Sequence, residues 1–366
     1  MPIPTETLLL SSADIHRLVL EVGRDRFMDR MIERLESAFR TAAPDGSGTP
    51  PRAGFTTGTE RTGVLEWMPH HEPGLAATVK LVSYAPANPV RHGLPTILGT
   101  LLRIDDETGH LVAVADAALP TAIRTGAASA VATRLLARPD SATVGLVGAG
   151  AQAVTQLHAL SRVLDIREVL VHDTDPVHRR SFPQRASFLG LPVREAEPAE
   201  LEAAADVICT ATSVEVGAGP VLRGDRLKDH LHINAVGADL PGKVEVPLPV
   251  LRAAYVSPDH LGQARREGEC QRLDEREIGA TLPELLRAPQ LARGLRDSRT
   301  VFDSTGFALE DHVALDVLIA LAELHGVGER VRLEAGPADP LDPYSTASAT
   351  AADRSLPRRL PAVRAH

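Results

Sequence analysis

Residues 143–153 read TVGLVGAGAQA and decide the fold of this chain. An apolar stretch runs directly into Gly148, Gly150 and Ala153, which form the G-x-G-x-x-G/A arrangement at the start of a helical pattern. The first glycine permits a tight turn, the second lets the backbone approach a pyrophosphate, and the alanine keeps helix and strand close. Free N–H groups at the helix start bind phosphate. The stretch therefore predicts a Rossmann-type dinucleotide site.

The next apolar segment, EVLVHDTDP at 168–176, selects between the two nicotinamide cofactors. It ends in Asp173, whose carboxylate can bind both hydroxyls of the adenine ribose and would repel a ribose phosphate. We therefore expect NAD. Arg179 and Arg180 follow closely and keep NADP as an alternative, and a glycine-rich turn with a surface aspartate in an ordinary sheet is the other one.

Strand and helix patterns continue to alternate beyond this segment. AQAVTQLHALSRVL at 151–164 reads as a helix, and DVICTATS at 206–213 and HLHINAVGAD at 230–239 read as buried strands. Such alternation predicts a parallel, doubly wound sheet.

The flanking regions have a different character. Residues 12–42 predict one or two amphipathic helices capped by Ser12 or Asp14, and residues 52–116 contain short apolar runs broken by Pro and Gly, which predict a sheet. Residues 120–137 predict a helix of small residues, and 311–326 an amphipathic helix that returns to the first domain. We expect an α/β protein with a Rossmann-type domain at 125–312 and a smaller α+β domain at 1–124, completed by about 313–335. The Pro-, Ala- and Ser-rich segment 336–366 predicts a disordered tail.

Composition limits the class of protein. The 366 residues carry a net charge of -9 and no dense Lys/Arg tract, so we expect neither a nucleic-acid partner nor a membrane surface. Cys209 and Cys270 are too few for a disulfide framework, no metal-ligand cluster is visible, and no targeting signal is seen, which together favour the cytoplasm. Lysine occurs only at positions 80, 228 and 243, so each is a candidate for a specific role.

Asp239 is the candidate catalytic acid. It follows an apolar strand, and ligands of parallel sheets bind beyond the carboxyl ends of the strands. A carboxylate beside a site of hydride transfer can remove a proton from a substrate ammonium or alcohol and later return it. The alternative is a helix cap or a turn aspartate.

Several blocks, in the same order over roughly residues 50–320, resemble the ornithine cyclodeaminase and mu-crystallin family. They include TVKLVSYAPANPVRHGLPTILGT, RTGAASAVATRLLARPDS, GLVGAGAQA, ATS at 211–213 and INAVGADLPGKVEV. GVLEWMPHHEPG and VFDSTGFALEDHVALDV are especially similar to the lysine cyclodeaminases that supply pipecolate to actinobacterial natural products. The resemblance implies a homodimer formed through the first domain.

The resemblance also implies roles for individual residues. It assigns the substrate carboxylate to Arg52, Lys80 and Arg124, and proton transfer to Asp239 with Lys80 near the reacting amine. Glu66, Met68 and Phe307 match the remaining substrate pocket, with strand or core packing as their alternative. The expected cofactor contacts are Gly148, Gly150, Ala151, Gln152, Ala153, Asp173, Thr212, Ser213, Val236 and Gly237.

The chemistry implied is closure of L-lysine to L-pipecolate with loss of ammonia, through internal oxidation and re-reduction of NAD. L-Ornithine, closing to L-proline, is one methylene shorter, which is worth only about 1–3 kcal/mol in an apolar pocket. An NAD-dependent amino or imino acid dehydrogenase is the rival enzyme. A mu-crystallin-like protein that binds a cofactor and small ligands is the rival from another class.

Overall fold

The computed structural model describes residues 6–42, 48–58, 63–334, 339, 341, 342, 344 and 345. The tail predicted at 336–366 lies largely outside these residues. The strands of the described part are β1 (Thr7–Leu10), β2 (Ala53–Thr57), β3 (Gly63–Glu72), β4 (Ala76–Tyr84), β5 (Ile97–Asp105), β6 (Leu111–Asp116), β7 (Thr143–Val147), β8 (Glu168–His172), β9 (Val193–Glu195), β10 (Val207–Thr210), β11 (His232–Ala235), β12 (Tyr255–Pro258), β13 (Thr300–Asp303) and β14 (Glu329–Val331).

Helices connect and cover these strands. They are α1 (Ser12–Val22), α2 (Arg24–Thr41), α3 (Asn88–His92), α4 (Ala118–Leu136), α5 (Ala151–Ser161), α6 (Pro176–Arg185), α7 (Pro198–Ala204), α8 (Leu248–Arg252), α9 (Leu261–Glu267), α10 (Leu282–Arg287), α11 (Pro289–Gly294) and α12 (Ala308–His325). Short 3-10 helices lie at Ser187–Leu189, Glu269–Arg272 and Glu275–Glu277.

The predicted parallel sheet is confirmed. Seven strands lie in the order β12-β13-β11-β10-β7-β8-β9, and every neighbouring pair is parallel. Hydrophobic cores cover both faces of this sheet. On β8, Val169 and Val171 pack into the core on one face and Leu170 into the core on the other. The chain leaves β7 and β10 toward opposite edges of the sheet, so the switch point of this doubly wound fold lies between them.

The other sheet is mixed. Its order is β14-β1-β6-β5-β4-β3-β2, in which β2 to β6 form an antiparallel meander, β1 runs parallel to β6, and β14 pairs antiparallel with β1. On β3 the side chains of Glu66, Met68 and His70 are buried, whereas Leu65 and Trp67 face outward. Successive side chains of a strand point to opposite faces of the sheet, so one face of this sheet is turned to the interior and the other exposes apolar side chains.

Two buried helices join the sheets. Helix α4 leads from β6 to β7, and α12 packs against α2, α4 and β4. The boundaries expected near residues 124 and 312 fall inside these helices, while β14 belongs to the first sheet. Residues 12–42 form two helices, because Gly23 interrupts them with φ +88°. The predicted cap was wrong by one position: Ser11 caps α1, and its side chain and that of Asp14 form a capping box.

Candidate active site

The three basic residues expected at the substrate carboxylate are all buried in the interior between the sheets. Arg52 precedes β2, Lys80 lies on the inner face of β4 opposite Met68, and Arg124 lies within α4. The charges of Arg52 and Arg124 both act on Lys80, so the structure brings the three cations together.

Two acidic residues from the first turn of α12 pair with two of these cations. Asp311 Oδ2 lies 2.7 Å from Lys80 Nζ, and Arg124 Nε donates a hydrogen bond of 3.0 Å to Asp311 Oδ1. Arg124 also pairs with Glu310. Asp311 therefore fixes Lys80 and Arg124 relative to each other.

Arg52 is held by different partners. Its Nη2 donates to the carbonyl oxygens of Thr305 and Gly306, each at 2.7 Å, and its Nε lies 2.8 Å from Glu267 Oε1. Glu66, on the inner face of β3, accepts a hydrogen bond of 3.3 Å from Arg52 Nη1. The predicted residues Arg52 and Glu66 are thus in contact.

Burial changes the ionisation of this cluster. Desolvation, followed by the charge of Arg124, lowers the pKa of Lys80 to about 8. Desolvation raises the pKa of Glu310 to about 8 and that of Glu267 to about 7, although Arg124 and Arg52 respectively oppose it. At neutral pH the lysine is mainly charged, Glu310 is mainly protonated and Glu267 is close to half protonated.

One polar atom of the cluster, Glu310 Oε1, has no hydrogen-bond partner among the described residues. Arg52 Nε, Glu267 Oε1 and Asp311 Oδ2 form the ion pairs given above. Buried polar groups are almost always paired, so Glu310 Oε1 is a candidate contact for a ligand.

Asp239 lies beyond the carboxyl end of β11, as expected for a residue that faces the cleft. Its Oδ1 is 3.0 Å from Lys243 Nζ, and its side chain keeps 35% exposure, whereas that of Lys243 keeps 3%. Lys243 also lies 5.4 Å from the centre of the Tyr84 ring at the end of β4. The charge of Asp239 acts on Glu267, which places the candidate acid near the basic cluster.

The predicted apolar pocket residues are both buried. Met68 faces Lys80 across the β3/β4 pair. Phe307 precedes α12 and stacks on Phe39 at 6.0 Å between ring centres, with His260 at 5.4 Å on another side. Phe307 is therefore part of the main hydrophobic core. It also directly follows Gly306, whose carbonyl oxygen binds Arg52.

The glycine-rich turn has the geometry that a pyrophosphate requires. Gly148 adopts φ +95°, and a Cβ there would lie 2.5 Å from the carbonyl oxygen of Ala211, so a larger residue would collide with the segment after β10. A Cβ on Gly150 would meet open space, and the start of α5 has no side-chain cap. Exposed Ala151 and buried Ala153 begin this helix. These residues fit a dinucleotide phosphate.

The remaining expected cofactor residues surround this turn. Asp173 follows β8 and accepts the Ala149 N–H at 2.6 Å. Gln152 donates to Ala122 O and thereby ties the cofactor helix to α4. Thr212 and Ser213 follow β10, and Val236 and Gly237 follow β11, so all four lie at the carboxyl edge of the sheet. Arg179 is paired with Glu195 at 2.6 Å.

Three functional candidates, the acidic residues Glu267, Glu310 and Asp311, were not predicted from the sequence, and Lys243 was a candidate without an assigned role. Lys243 carried a signal, since it is a rare lysine four positions after Asp239. No sequence pattern identified the acidic residues, because their partners Arg52, Lys80 and Arg124 are remote in sequence. Within the described ranges no group of three or more His, Cys, Asp or Glu side chains could hold a metal ion, and no helix is long and apolar enough to cross a membrane.

The chain is similar to known proteins over most of its length. The sequence profile of the ornithine cyclodeaminase/mu-crystallin family matches residues 13–322. The L-lysine cyclodeaminase of Streptomyces rapamycinicus is 50% identical over 341 residues, which are 93% of this chain and 99% of that protein.

Two solved structures are similar. One describes the recognition of L-lysine, L-ornithine and L-2,4-diaminobutyric acid by a lysine cyclodeaminase; it has a TM-score of 0.91 and 54% identity, and the alignment covers 93% of this chain and 99% of that one. The other is an archaeal alanine dehydrogenase dimer with bound NAD, with a TM-score of 0.77, 32% identity, and coverage of 90% and 100%.

Proposed function

The chain belongs to the ornithine cyclodeaminase/mu-crystallin family, and from that premise we propose that it is an NAD-dependent lysine cyclodeaminase that converts L-lysine to L-pipecolate and ammonia. The observation that carries this proposal is the buried cluster of three cations and four carboxyls. The cluster consists of Arg52, Lys80, Arg124, Glu66, Glu267, Glu310 and Asp311.

This cluster complements a diamino acid. Three cations suit one substrate carboxylate, which an arginine can bind with two parallel hydrogen bonds. The carboxyls, two of which have raised pKa values and can donate or accept, suit the two amino groups. A monoamino acid has one amino group fewer to bind to these buried carboxyls.

The proposed mechanism assigns positioning to the cluster and proton transfer to Asp239. With the carboxylate held by Arg52, Lys80 and Arg124, the substrate Cα is fixed in one orientation. Asp239 accepts a proton from the α-ammonium as hydride leaves Cα, which gives an imine. It returns the proton to the departing ammonia after the side-chain amine has attacked the imine carbon. Lys243 holds the Asp239 carboxylate in place at 3.0 Å.

Gly148, Gly150, the start of α5 and Asp173 would hold NAD, with Thr212, Ser213, Val236 and Gly237 along the same edge. NAD, when bound, supplies reversible hydride transfer at the substrate Cα, so that no oxidant is consumed overall. Asp173 favours NAD over NADP because a carboxylate repels a ribose phosphate.

We also propose a homodimer formed through the outer face of the first sheet. Phe55, Leu65, Trp67 and Leu81 are 37–63% exposed and lie next to each other on β2, β3 and β4. A contiguous apolar face of this kind marks an interaction surface. The similar archaeal alanine dehydrogenase is a dimer.

A reducing, cytoplasmic setting fits the same proposal. Both cysteines are buried free thiols, Cys209 on β10 and Cys270 in a 3-10 helix. Neither takes part in a disulfide, as is usual in a reducing compartment.

The test is product analysis with catalytic NAD. Purified protein is incubated with L-lysine or L-ornithine, and pipecolate, proline, ammonia and NADH are quantified. We expect pipecolate in large excess over the added NAD. Dominant proline would make the enzyme an ornithine cyclodeaminase, stoichiometric NADH would make it a dehydrogenase, and no turnover would leave a binding protein.

A further inference from the structure

Glu245 is a fully buried acid that the proposed mechanism does not use. It lies between β11 and α8 in the Rossmann-type domain and has no exposed surface. An ionised carboxylate in such a place is costly unless it receives several hydrogen bonds. Its partners therefore indicate what it does.

The donors to the Glu245 carboxylate come from the cofactor edge of the sheet. Oε1 accepts the Thr212 N–H at 2.8 Å and the Thr212 hydroxyl at 2.6 Å. Oε2 accepts the Thr210 hydroxyl at 2.7 Å and the Gly237 N–H at 2.7 Å. One carboxylate thus joins the segment after β10 to the segment after β11.

The close approach at Gly237 supports the same interpretation. A Cβ at this position would lie 2.3 Å from Glu245 Oε1, so the glycine gives the carboxylate room to reach both segments. The backbone of Glu245 is fixed as well, since its N–H donates a hydrogen bond of 2.6 Å to Glu269 Oε1.

We infer that Glu245 is a positioning residue for the cofactor: it fixes the Thr212 and Gly237 segments in the conformation that receives NAD. This inference rests on the proposed function. Without the carboxylate these two loops would keep their sequence but lose their common anchor, and NAD would have to order them on binding. The site for the substrate carboxylate is built from other elements and does not depend on Glu245.

The test compares Glu245→Gln with Glu202→Gln. A glutamine has the same shape but accepts on only one oxygen, so two of the four donors lose their partner. Glu202 is an equally buried acid of the same domain that accepts two backbone N–H groups, from Arg223 and Gly224, away from the cofactor edge. It therefore controls for a general loss of stability.

The readout is NAD affinity, measured by calorimetry on the full chain after bound cofactor has been removed with charcoal. Loss of hydrogen bonds to a charged group predicts that Glu245→Gln raises the Kd for NAD about 10- to 100-fold. Glu202→Gln should lower the unfolding temperature and leave the Kd unchanged. The KM for L-lysine at saturating NAD should stay within about threefold in both variants, a limit of under 1 kcal/mol.

Thr210→Val provides a second measurement if Glu245→Gln does not fold. It keeps the side-chain shape and removes one donor to Glu245, which predicts a smaller rise in the Kd for NAD, about threefold or more. An unchanged Kd in the folded variants overturns the inference while the proposed function stands. A wild-type chain that binds no NAD overturns the proposed function instead.

Discussion

Lysine is scarce in this chain, and each of its three lysines contacts an aspartate. The pairs are Lys80 with Asp311, Lys228 with Asp206, and Lys243 with Asp239. Two of these pairs belong to the candidate active site, so in this chain the rarity of lysine helps to identify functional residues. The sequence could supply the candidates but not their partners.

Asp239→Asn tests the proton-transfer role. The amide keeps the size of the side chain but cannot accept a proton, so kcat should fall about 10²- to 10⁴-fold. The KM for L-lysine should change little, because other residues bind the carboxylate. Steady-state kinetics measure both values, and Asp229→Asn, at a side chain with 97% exposure, is the control. A nearly normal kcat in Asp239→Asn would remove Asp239 from the mechanism.

The pKa of Lys80 predicts a pH dependence of carboxylate binding. Because the pKa is lowered to about 8, the side chain is charged below that pH and neutral above it. The affinity for hexanoate, a carboxylate without an amine, should therefore decline as pH rises through 8. Lys80→Arg stays charged and should show a smaller decline, because only Glu310 and Glu267 of the cluster still release protons over this interval. Equal wild-type affinity at pH 7 and pH 9.5 would contradict this assignment.

At the scale of single elements, helix α4 depends on its small residues. Gly126 lies two positions after Arg124, and a Cβ on it would be 2.5 Å from Thr155 O in α5. This close approach fixes α4, the helix that carries Arg124, against the cofactor helix. The small-residue pattern predicted a closely packed helix, but the identity of its neighbour required the structure.

Gly126→Ala should destabilise the protein. Forcing α4 away from α5 costs about 1–3 kcal/mol, which exceeds the helix-propensity gain of alanine. Urea denaturation measures the change in the free energy of unfolding. Gly294→Ala, in α11 with open space at the Cβ position, is the matched control and should be neutral or stabilising. Equal stability of the two variants would mean that the contact between α4 and α5 is not tight.

At the scale of the whole molecule, the outer face of the first sheet tests the proposed dimer. Leu81→Glu puts a charge on this apolar face and should yield a monomer in light scattering coupled to gel filtration. Leu20→Glu, at a leucine of α1 with 68% exposure, should leave the dimer intact. A monomeric wild-type protein, or a dimeric Leu81→Glu variant, would show that this face is not the interface.

Buried carboxyls predict how stability depends on pH. Desolvation raises the pKa of Asp303 to about 7 and of Glu269 to about 8. The folded state then holds protons that the unfolded chain has released, so stability falls as pH rises through these values. The buried histidines titrate lower: desolvation takes the pKa of His70, His232 and His312 to about 4. In the unfolded chain they titrate near pH 6.5, so only above about pH 7 are they mainly neutral in both states.

We therefore expect the urea midpoint to decline between about pH 7 and pH 8, where the carboxyls outweigh the histidines. Glu269→Gln cannot titrate and should reduce the slope, whereas Glu200→Gln, at a half-exposed surface position, should not. A midpoint that is constant or rises over this interval would contradict the raised pKa values.

The sequence by itself determined the doubly wound sheet and the cofactor turn. These are local properties: the G-x-G-x-x-A spacing, the carboxylate at the end of the next strand and the alternation of strands with helices each lie within a short stretch of chain. The resemblance of several ordered blocks to one family then supplied candidate roles for Arg52, Lys80, Arg124 and Asp239.

Only the tertiary structure decided how these residues are neutralised and held. Asp311 reaches Arg124 across 187 positions of sequence, and Glu245 reaches Thr212 across 33. No periodicity or spacing specifies such contacts, because they form when α12 packs against α4 and when neighbouring strands align their carboxyl ends. The shifted pKa values follow from the same packing, since desolvation depends on what surrounds a group in space and not on its neighbours in the chain.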